Sequence, residues 1–240
     1  MDAMYVALSA QVALERKLDT IAQNVANLGT VGYRADEIKF EEELSKAASD
    51  STAFVSSGDI YISRRPGALT KTDNALDVAV QGNGWFAIQT SSGVVYTRDG
   101  RMRLLESGEL TTLNGYAILD VGRAPITLDP TAGPPIIARD GMIMQAGQQL
   151  GAIGLFRIDP TTKLDRFENS GVVPQGPAEE VLDFSNNGVV QGFIEEANVN
   201  PIMEISRLIE VSRAFEAISA AIEKSETTAQ NAIRTLGEAT

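Results

Sequence analysis

The sequence contains no cysteine and no histidine among its 240 residues. Their absence excludes thiol nucleophiles, histidine general bases and every zinc, copper or haem site built from those ligands. We therefore expect a protein that is not an enzyme and that holds no cofactor and no metal ion. A chain without cysteine fits an oxidising or a reducing compartment equally well.

Positive charge and long apolar runs are also scarce. Lys and Arg number 20 against 32 Asp and Glu, so the formal net charge is −12. Without a basic stripe, nucleic acid and anionic membranes are poor partners. No charge-free run approaches the roughly 18 apolar residues that a membrane helix needs. We expect no nucleic-acid partner, no membrane insertion, and partners that are other proteins.

The motifs that carry common chemistries are missing or have a simpler interpretation. Residues 82–87 (Gly-Asn-Gly-Trp-Phe-Ala) fit a loose dinucleotide-binding pattern, but residues 85–88 predict a strand rather than the required helix, so we interpret the glycines as a turn. Paired carboxylates for acid/base hydrolysis remain the alternative. Asp99, Asp140 and Asp183, however, lie beside turn glycines or in loops, where Asp serves the backbone.

The two ends of the chain have helical periodicity. Residues 4–28 lack Pro and Gly, and their apolar residues recur at spacings of three and four, which predicts a helix with a coiled-coil seam. Gly29 is predicted as its left-handed cap. Gly29 and Gly32 together are predicted to set the angle at which the chain leaves this helix for the next segment. Asn200 is predicted as the N-cap of a second helix, with Pro201 at its first position. The predicted assembly seam comprises Leu14, Leu18, Ile21, Val25, Leu28, Leu208, Val211, Phe215, Ile218 and Ile222.

The centre of the chain has the pattern of an all-β domain. Turn pairs such as Ser92-Gly93 and Asn114-Gly115 separate short runs rich in β-branched and aromatic residues. The predicted fold class is mixed, with a β-rich central domain inserted between N- and C-terminal α-helices that pair as a coiled coil. The predicted domains are a terminal helical domain (1–34 plus 198–240), an extended connecting region (35–75 plus 182–197) and a β-rich outer domain (76–181).

Further apolar residues lie off the predicted seam and would stay exposed in a two-helix hairpin, forming a second apolar face. We expect neighbouring molecules to cover this face. An intramolecular helical bundle is the alternative. The residues are Tyr5, Val6, Val12, Ile202, Ile205, Ile209 and Ile233.

Three segments of the chain resemble the rod and hook proteins of the bacterial flagellum. Residues 24–34 (NVANLGTVGYR) are similar to the signature that ends the first helix of that family. Residues 74–86 with 96–100 resemble the opening of its β domain, and residues 192–204 with 213–216 resemble its C-terminal signature. The motif residues are Asn24, Asn27, Thr30, Gly32, Tyr33, Gly82, Gly84, Gly100, Asn198, Asn200, Glu204 and Arg213.

The resemblance implies a structural subunit of the flagellar basal-body rod, in the periplasm. The opening residues 5–11 and 18–22 are most similar to the proximal rod branch of the family. The distal rod branch is the alternative within the family, and a free-standing β-rich module that binds a protein or glycan is the alternative outside it. The implied partners are other flagellar rod proteins, further copies of the chain and the flagellar export apparatus, which would export it without a cleaved signal peptide.

Overall fold

The computed structural model describes residues 2–39, 42–45, 52–55 and 58–238. The chain divides into two compact units. The first comprises Met1–Ala26, Asp36–Tyr61 and Asn200–Thr240, and the second comprises Asn27–Ala35 and Ile62–Val199. The three-part division expected from the sequence stays a prediction.

The first unit contains the two helices of the described chain and four short strands. Helix α1 spans Asp2–Ala26 and helix α2 spans Pro201–Glu238, and the two contact each other. Two sheets of two strands each accompany the helices. Strand β2 pairs antiparallel with β3, and β1 pairs with β4. Their bounds are β1 Asp36–Lys39, β2 Glu42–Ser45, β3 Thr52–Val55 and β4 Asp59–Ile62. The sequence thus predicted both helices, and their pairing as a coiled coil stays a prediction.

Helix α2 begins where the sequence places its cap. The side-chain oxygen of Asn200 accepts hydrogen bonds from the backbone N–H groups of Ile202 at 3.1 Å and Met203 at 3.2 Å. These are two of the donors that the first turn of a helix leaves without a partner. Pro201, which has no N–H, occupies the first helical position.

Helix α1 ends earlier than predicted, and Gly29 is not its left-handed cap. The helix stops at Ala26, and the turn that follows is closed by the Thr30 N–H, which donates to the Asn27 carbonyl at 3.1 Å. Gly29 does not have a positive φ, whereas Gly32 has φ 72°. Leu28 therefore lies in the turn and not on the helical seam. The polar turn formed by Asn27 and Thr30 ends the helix before the first glycine is reached.

The second unit is built from sixteen further strands of the described chain and no helix among its described residues. They are β5 Leu69–Lys71, β6 Val78–Gln81, β7 Gly84–Thr90, β8 Gly93–Thr97, β9 Met102–Leu104, β10 Leu110–Thr112, β11 Ala117–Ile118, β12 Ile136–Ile137, β13 Met142–Gln145, β14 Gln148–Ala152, β15 Leu155–Ile158, β16 Leu164–Phe167, β17 Gly171–Pro174, β18 Ala178–Glu180, β19 Gly188–Gln191 and β20 Phe193–Glu195.

Nine of these strands form one antiparallel sheet with β7 at its centre. The order is β16-β17-β8-β7-β11-β10-β9, and β15 joins β7 on one side and β18 on the other. Strand β7 pairs along its length with β8, while β15 pairs with its first half and β11 with its second. Smaller sheets comprise β12-β13-β14, β6 with β19, and β5 with β20.

Alternate residues of β7 contribute to two hydrophobic clusters, as the period of two in a strand requires. Phe86 and Ile88 belong to the larger cluster, which also contains Val78 and Ile118. Trp85 and Ala87 belong to the second. The strand is buried on both faces, which explains why its sequence is an almost continuous apolar run.

No helix described here is at once long and apolar enough to cross a membrane.

Candidate assembly interface and its buried supports

The predicted seam residues on the helices are buried or half-buried. Ile21 on α1 and Val211 on α2 are buried. The half-buried ones are Leu14, Leu18, Val25, Leu208, Phe215, Ile218 and Ile222. Leu28 is half-buried in the turn after α1. The role of these residues in contacts between molecules stays a prediction.

A second set of apolar residues on the helices is exposed. On α2, Ile202, Ile205 and Ile209 are 75%, 50% and 49% exposed, and their spacing of three and four places them along one stripe. We call these three residues the exposed α2 stripe. On α1, Val12 and Leu8 are exposed at a spacing of four. Leu8 was not singled out from the sequence, although the same spacing would have identified it.

The remaining residues of that predicted face are less informative. Val6 is half-buried. The side chains of Tyr5 and Ile233 lie outside the described residues.

Two polar motif residues lie on α2. The Glu204 side chain is buried, and its Oε1 accepts from Nη1 of Arg207 at 2.7 Å, one turn further along the helix. Arg213 is exposed. The arrangement gives Glu204 a structural partner, while Arg213 presents its charge on the surface.

Asn24 ties the end of α1 to strand β1. Its side-chain oxygen accepts from the Asp36 N–H, and its side-chain nitrogen donates to the Asp36 carbonyl, both at 2.9 Å. A buried asparagine that pairs with both backbone groups of one residue imitates a strand pairing. This contact fixes the direction in which the chain returns after the helix.

Gly32 and Tyr33 are held within the second unit. The Gly32 N–H donates to the carbonyl of Glu195 at 2.7 Å. A Cβ at Gly32 would lie 2.3 Å from the backbone nitrogen of Asp99, so no other residue fits. The Tyr33 ring is fully buried, with the Arg166 guanidinium 4.5 Å from its centroid. These contacts explain why the motif has glycine followed by an aromatic residue.

Asn198 joins the same region to the chain that leads toward α2. Its Oδ1 accepts from the Ala35 N–H at 2.6 Å, and its Nδ2 donates to the Arg65 carbonyl at 2.8 Å. Its own N–H donates to the Tyr33 carbonyl at 3.2 Å. One side chain thus links three segments that are far apart in the sequence.

The second unit contains a buried charge cluster that the sequence did not identify, formed by Arg34, Arg98 and Glu195. Arg34 Nη2 lies 2.6 Å from Oε1 of Glu195, and Arg98 Nη1 donates to Oε2 at 3.0 Å. The Gly67 N–H also donates to Oε1, at 2.8 Å. All three charged side chains are 3% exposed or less.

The chain's single tryptophan packs against this cluster. The guanidinium carbon of Arg98 lies 5.1 Å from the Trp85 ring centroid and that of Arg34 lies 5.7 Å from it. Both distances are within the range of a cation–π contact. The fluorescence of Trp85 is therefore a local reporter for the cluster.

The cluster carries more positive than negative charge. Burial lowers the pKa of Arg34, and the Glu195 carboxylate partly offsets this. Burial, and then the charge of Arg34, lower the pKa of Arg98 to about 10, against the opposite effect of Glu195. Arg98 Nε finds no hydrogen-bond partner among the described residues. A single carboxylate thus holds two guanidinium groups in a dry environment.

Close contacts or a left-handed backbone conformation require glycine at three motif positions of the second unit. A Cβ at Gly100 would lie 1.7 Å from the carbonyl oxygen of Val78, and one at Gly84 would lie 2.4 Å from the Leu155 side chain. Gly82 has φ 89°, in the left-handed region that favours glycine. Gly82 and Asn83 form the turn between β6 and β7, and Gly84 begins β7, so the interpretation of this segment as a turn leading into a strand is confirmed.

The aspartates considered for acid/base chemistry serve turns. Asp140 accepts from the Met142 N–H at 3.1 Å and Asp183 from the Ser185 N–H at 2.9 Å, two residues ahead in each case. Hydrogen bonds from Ser185 lower the pKa of Asp183, the opposite of what a general acid needs. The Asp99 carboxylate is held by the Arg101 guanidinium at 2.7 and 2.9 Å. Among the described residues, no group of acidic side chains is arranged to hold a metal ion.

The buried charge cluster could have been noticed in the sequence. Each of the three family-like segments contributes one member: Arg34 ends the first, Arg98 lies in the second and Glu195 lies in the third. A charged residue within a segment of glycine and apolar residues is a reasonable candidate for a buried ion pair. Their proximity, however, depends on the pairing of distant strands.

Three family models match successive parts of the chain, one near each end and one in the β-rich centre. Residues 4–34 match the model described as flagella basal body rod protein. Residues 79–145 match the D1 domain of the flagellar hook proteins FlgE, FlgF and FlgG. Residues 190–235 match the C-terminal model of the basal-body rod proteins FlgE, FlgF and FlgG.

Whole-chain relatives carry the names of rod proteins. The chain is 50% identical over 236 residues to the flagellar basal-body rod protein FlgF of Mesorhizobium japonicum, covering 98% of each chain. It is 46% identical over 234 residues to FlgF of Rhizobium meliloti, covering 98% of this chain and 97% of the relative. It is 28% identical over 251 residues to the rod protein FlgG of Bacillus subtilis, covering 93% and 94%.

Proposed function

The chain belongs to the family of the flagellar basal-body rod protein FlgF, and from that premise we propose that it is a structural subunit of the proximal rod. There it polymerises with other rod proteins into the hollow drive shaft of the bacterial flagellum. The shaft transmits torque and surrounds the export channel. The higher identity to the FlgF relatives than to FlgG supports the proximal over the distal assignment.

The observation that carries this proposal is the exposed α2 stripe. Ile202, Ile205 and Ile209 each leave about half or more of their surface in water. Burying one side chain of this size gains roughly 1.5 to 3 kcal/mol. A subunit that covers the stripe of its neighbour recovers this free energy for every copy added, which favours a polymer over free monomers.

The partly buried seam residues supply the second layer of the interface. Leu14, Leu18 and Ile21 on α1, with Leu208 and Val211 on α2, are proposed to pack as a coiled coil in the assembled rod. A continuous packed layer of this kind resists twisting because interiors at close-packed density have low compressibility. Stiffness is the property that a torque-bearing shaft needs.

Export and location complete the proposal. The flagellar export apparatus passes the chain without a cleaved signal peptide, and the chain then folds into the rod of the basal body.

The proposal is tested with a substitution on the exposed stripe. Ile205→Asp places a carboxylate on a half-exposed side chain, so we expect the purified chain to fold with a free energy of unfolding within about 0.5 kcal/mol of the unsubstituted chain. We expect basal bodies from cells that carry only this variant to lack the chain, and the cells to be non-motile.

Ile205→Leu is the matched control, because it retains an apolar side chain of the same size. It should be incorporated and restore swimming. Normal amounts of the Ile205→Asp chain in purified basal bodies would contradict the proposed role of the stripe.

A further inference from the structure

A cationic cavity opens in the second unit beside the buried charge cluster. Its volume is about 120 Å³, and its described lining comprises Arg64, Asn83, Trp85, Arg98, Arg157, Ile158 and Pro160. Of these lining residues three are arginines and none is acidic. In a chain whose net charge is −12, such a concentration of positive charge is unusual.

Two of the lining arginines also contact other groups of the second unit. Arg64 donates to the carbonyls of Ile158 at 3.3 Å and Thr162 at 2.6 Å. Arg157, at the rim, pairs with the exposed Glu179 at 3.0 Å. Because two carbonyl contacts hold Arg64, an incoming anion meets at least one guanidinium group that needs little reordering.

Arg98 also lines the cavity and has unused donor capacity. Its Nη1 is taken by Glu195 and its Nη2 donates to the Gly82 carbonyl at 2.8 Å. Its Nε is buried and has no hydrogen-bond partner among the described residues. A buried donor left without a partner is unfavourable, and an acceptor brought within its reach would relieve that penalty.

The local charges also leave a positive excess. Three guanidinium groups line the cavity, those of Arg64, Arg98 and Arg157, and the guanidinium of Arg34 shares the Glu195 carboxylate with Arg98. Three carboxylates lie near them: Glu195 between Arg34 and Arg98, Glu179 on Arg157, and Asp159, whose charge acts on Arg64. One further negative charge would balance the site.

We propose that this cavity receives an Asp or Glu side chain from a second copy of this chain, as a contact between subunits of the rod. The inference rests on the proposed function. A carboxylate accepts from arginine donors in two directions, and its size suits a cavity of about 120 Å³.

Two properties of the chain identify a second copy as the source of the carboxylate. The chain carries 32 acidic residues against 20 basic ones, so each copy presents many more carboxylates than its own guanidinium groups can pair. In addition, an open helical assembly is built from heterologous contacts, in which a cavity on one copy meets a different surface on the next. An acidic residue at that surface fills the cavity of every successive copy.

Photo-crosslinking in assembled rods tests this contact. Asn83 lines the cavity and its side chain is exposed, so it is replaced by p-benzoylphenylalanine in the full chain. After irradiation of purified basal bodies, we expect a crosslinked pair of copies whose joined peptide contains an Asp or Glu residue. Arg64→Gln combined with Arg157→Gln should abolish this adduct.

Lys71→Gln is the matched control, because it removes one positive charge from an exposed ion pair with Asp73 in the same unit. It should leave the adduct unchanged. Basal bodies that contain the chain but give no adduct of two copies, or give one to a glycan or to a different protein, would overturn the inference while leaving the proposed function intact. Basal bodies without the unsubstituted chain would overturn the proposed function and the inference with it.

Discussion

Neutralising Glu195 should destabilise the second unit far more than the loss of an exposed ion pair would. The carboxylate is 1% exposed and lies between two guanidinium groups that are themselves 1% and 3% exposed. In Glu195→Gln the side chain keeps its size and an oxygen that can accept from the Gly67 N–H. What it loses is the negative charge that compensates two buried positive charges.

The magnitude follows from the burial of those charges. Removing one partner of a buried ion pair costs about 3–5 kcal/mol, because the remaining charge stays in a dry environment. For a chain of this size each kcal/mol lowers the midpoint of thermal unfolding by roughly 2–4 °C. We therefore expect Glu195→Gln to lower that midpoint by about 6–20 °C.

Trp85 provides the assay, since its ring lies against both guanidinium groups of the cluster. Thermal unfolding of the full chain is followed by its fluorescence. Glu179→Gln is the matched control: it breaks an ion pair whose side chains are 63% and 67% exposed. Exposed pairs contribute at most about 1 kcal/mol. Equal midpoints for Glu195→Gln and Glu179→Gln would refute the reasoning.

Two further predictions concern a glycine and a side-chain hydrogen bond of the second unit. Gly100→Ala should lower the midpoint of urea unfolding strongly, because the added Cβ would lie 1.7 Å from a backbone carbonyl oxygen of strand β6. Gly29→Ala is the control and should leave the midpoint almost unchanged, because nothing lies within 4 Å of its Cβ. Similar midpoints for the two variants would contradict the packing at Gly100. The hydroxyl of Thr161 is the largest cause of the lowered pKa of Asp159, so Thr161→Val should raise that pKa in an NMR titration. Because the folded-state pKa is the lower one, the stabilisation that this hydrogen bond gives is present above the unfolded-state pKa near 3.8 and is lost as the pH falls through the folded value. An unchanged pKa in the variant would rule out the hydroxyl as the cause.

Much of the fold could be predicted because its signals are local. The periodicity of apolar residues predicted both helices, and turn pairs such as Ser92-Gly93 predicted the boundaries between short strands, here β7 and β8. Asn200 was identifiable as an N-cap because the capping contact involves residues two and three positions ahead. Information of this kind lies within a few residues of sequence.

The features that were missed depend on contacts between distant residues. Gly29 was predicted as a cap because it is the first glycine after an apolar run, but the turn closed by Asn27 and Thr30 ends the helix before it, and Asn24 holds the returning chain at Asp36. Leu28, which the spacing of apolar residues placed on the seam, lies in the turn after the helix, and its role in the assembly interface stays a prediction. The charge cluster joins residues 34, 98 and 195, which are far apart in the sequence. Their proximity depends on the pairing of distant strands in the second unit.

Assembly as proposed requires neighbouring subunits to cover the exposed α2 stripe. Because the chain contains no cysteine, a single introduced thiol can measure directly whether the stripe is covered. With Ile205→Cys as the single thiol, the rate of maleimide labelling reports the exposure of that position, and Val211→Cys, at a buried position of the same helix, gives the rate for a protected thiol. We predict that Cys at position 205 labels rapidly in the dilute purified chain and as slowly as Cys at position 211 in basal bodies from swimming cells. Equally rapid labelling at position 205 in both preparations would contradict the central claim.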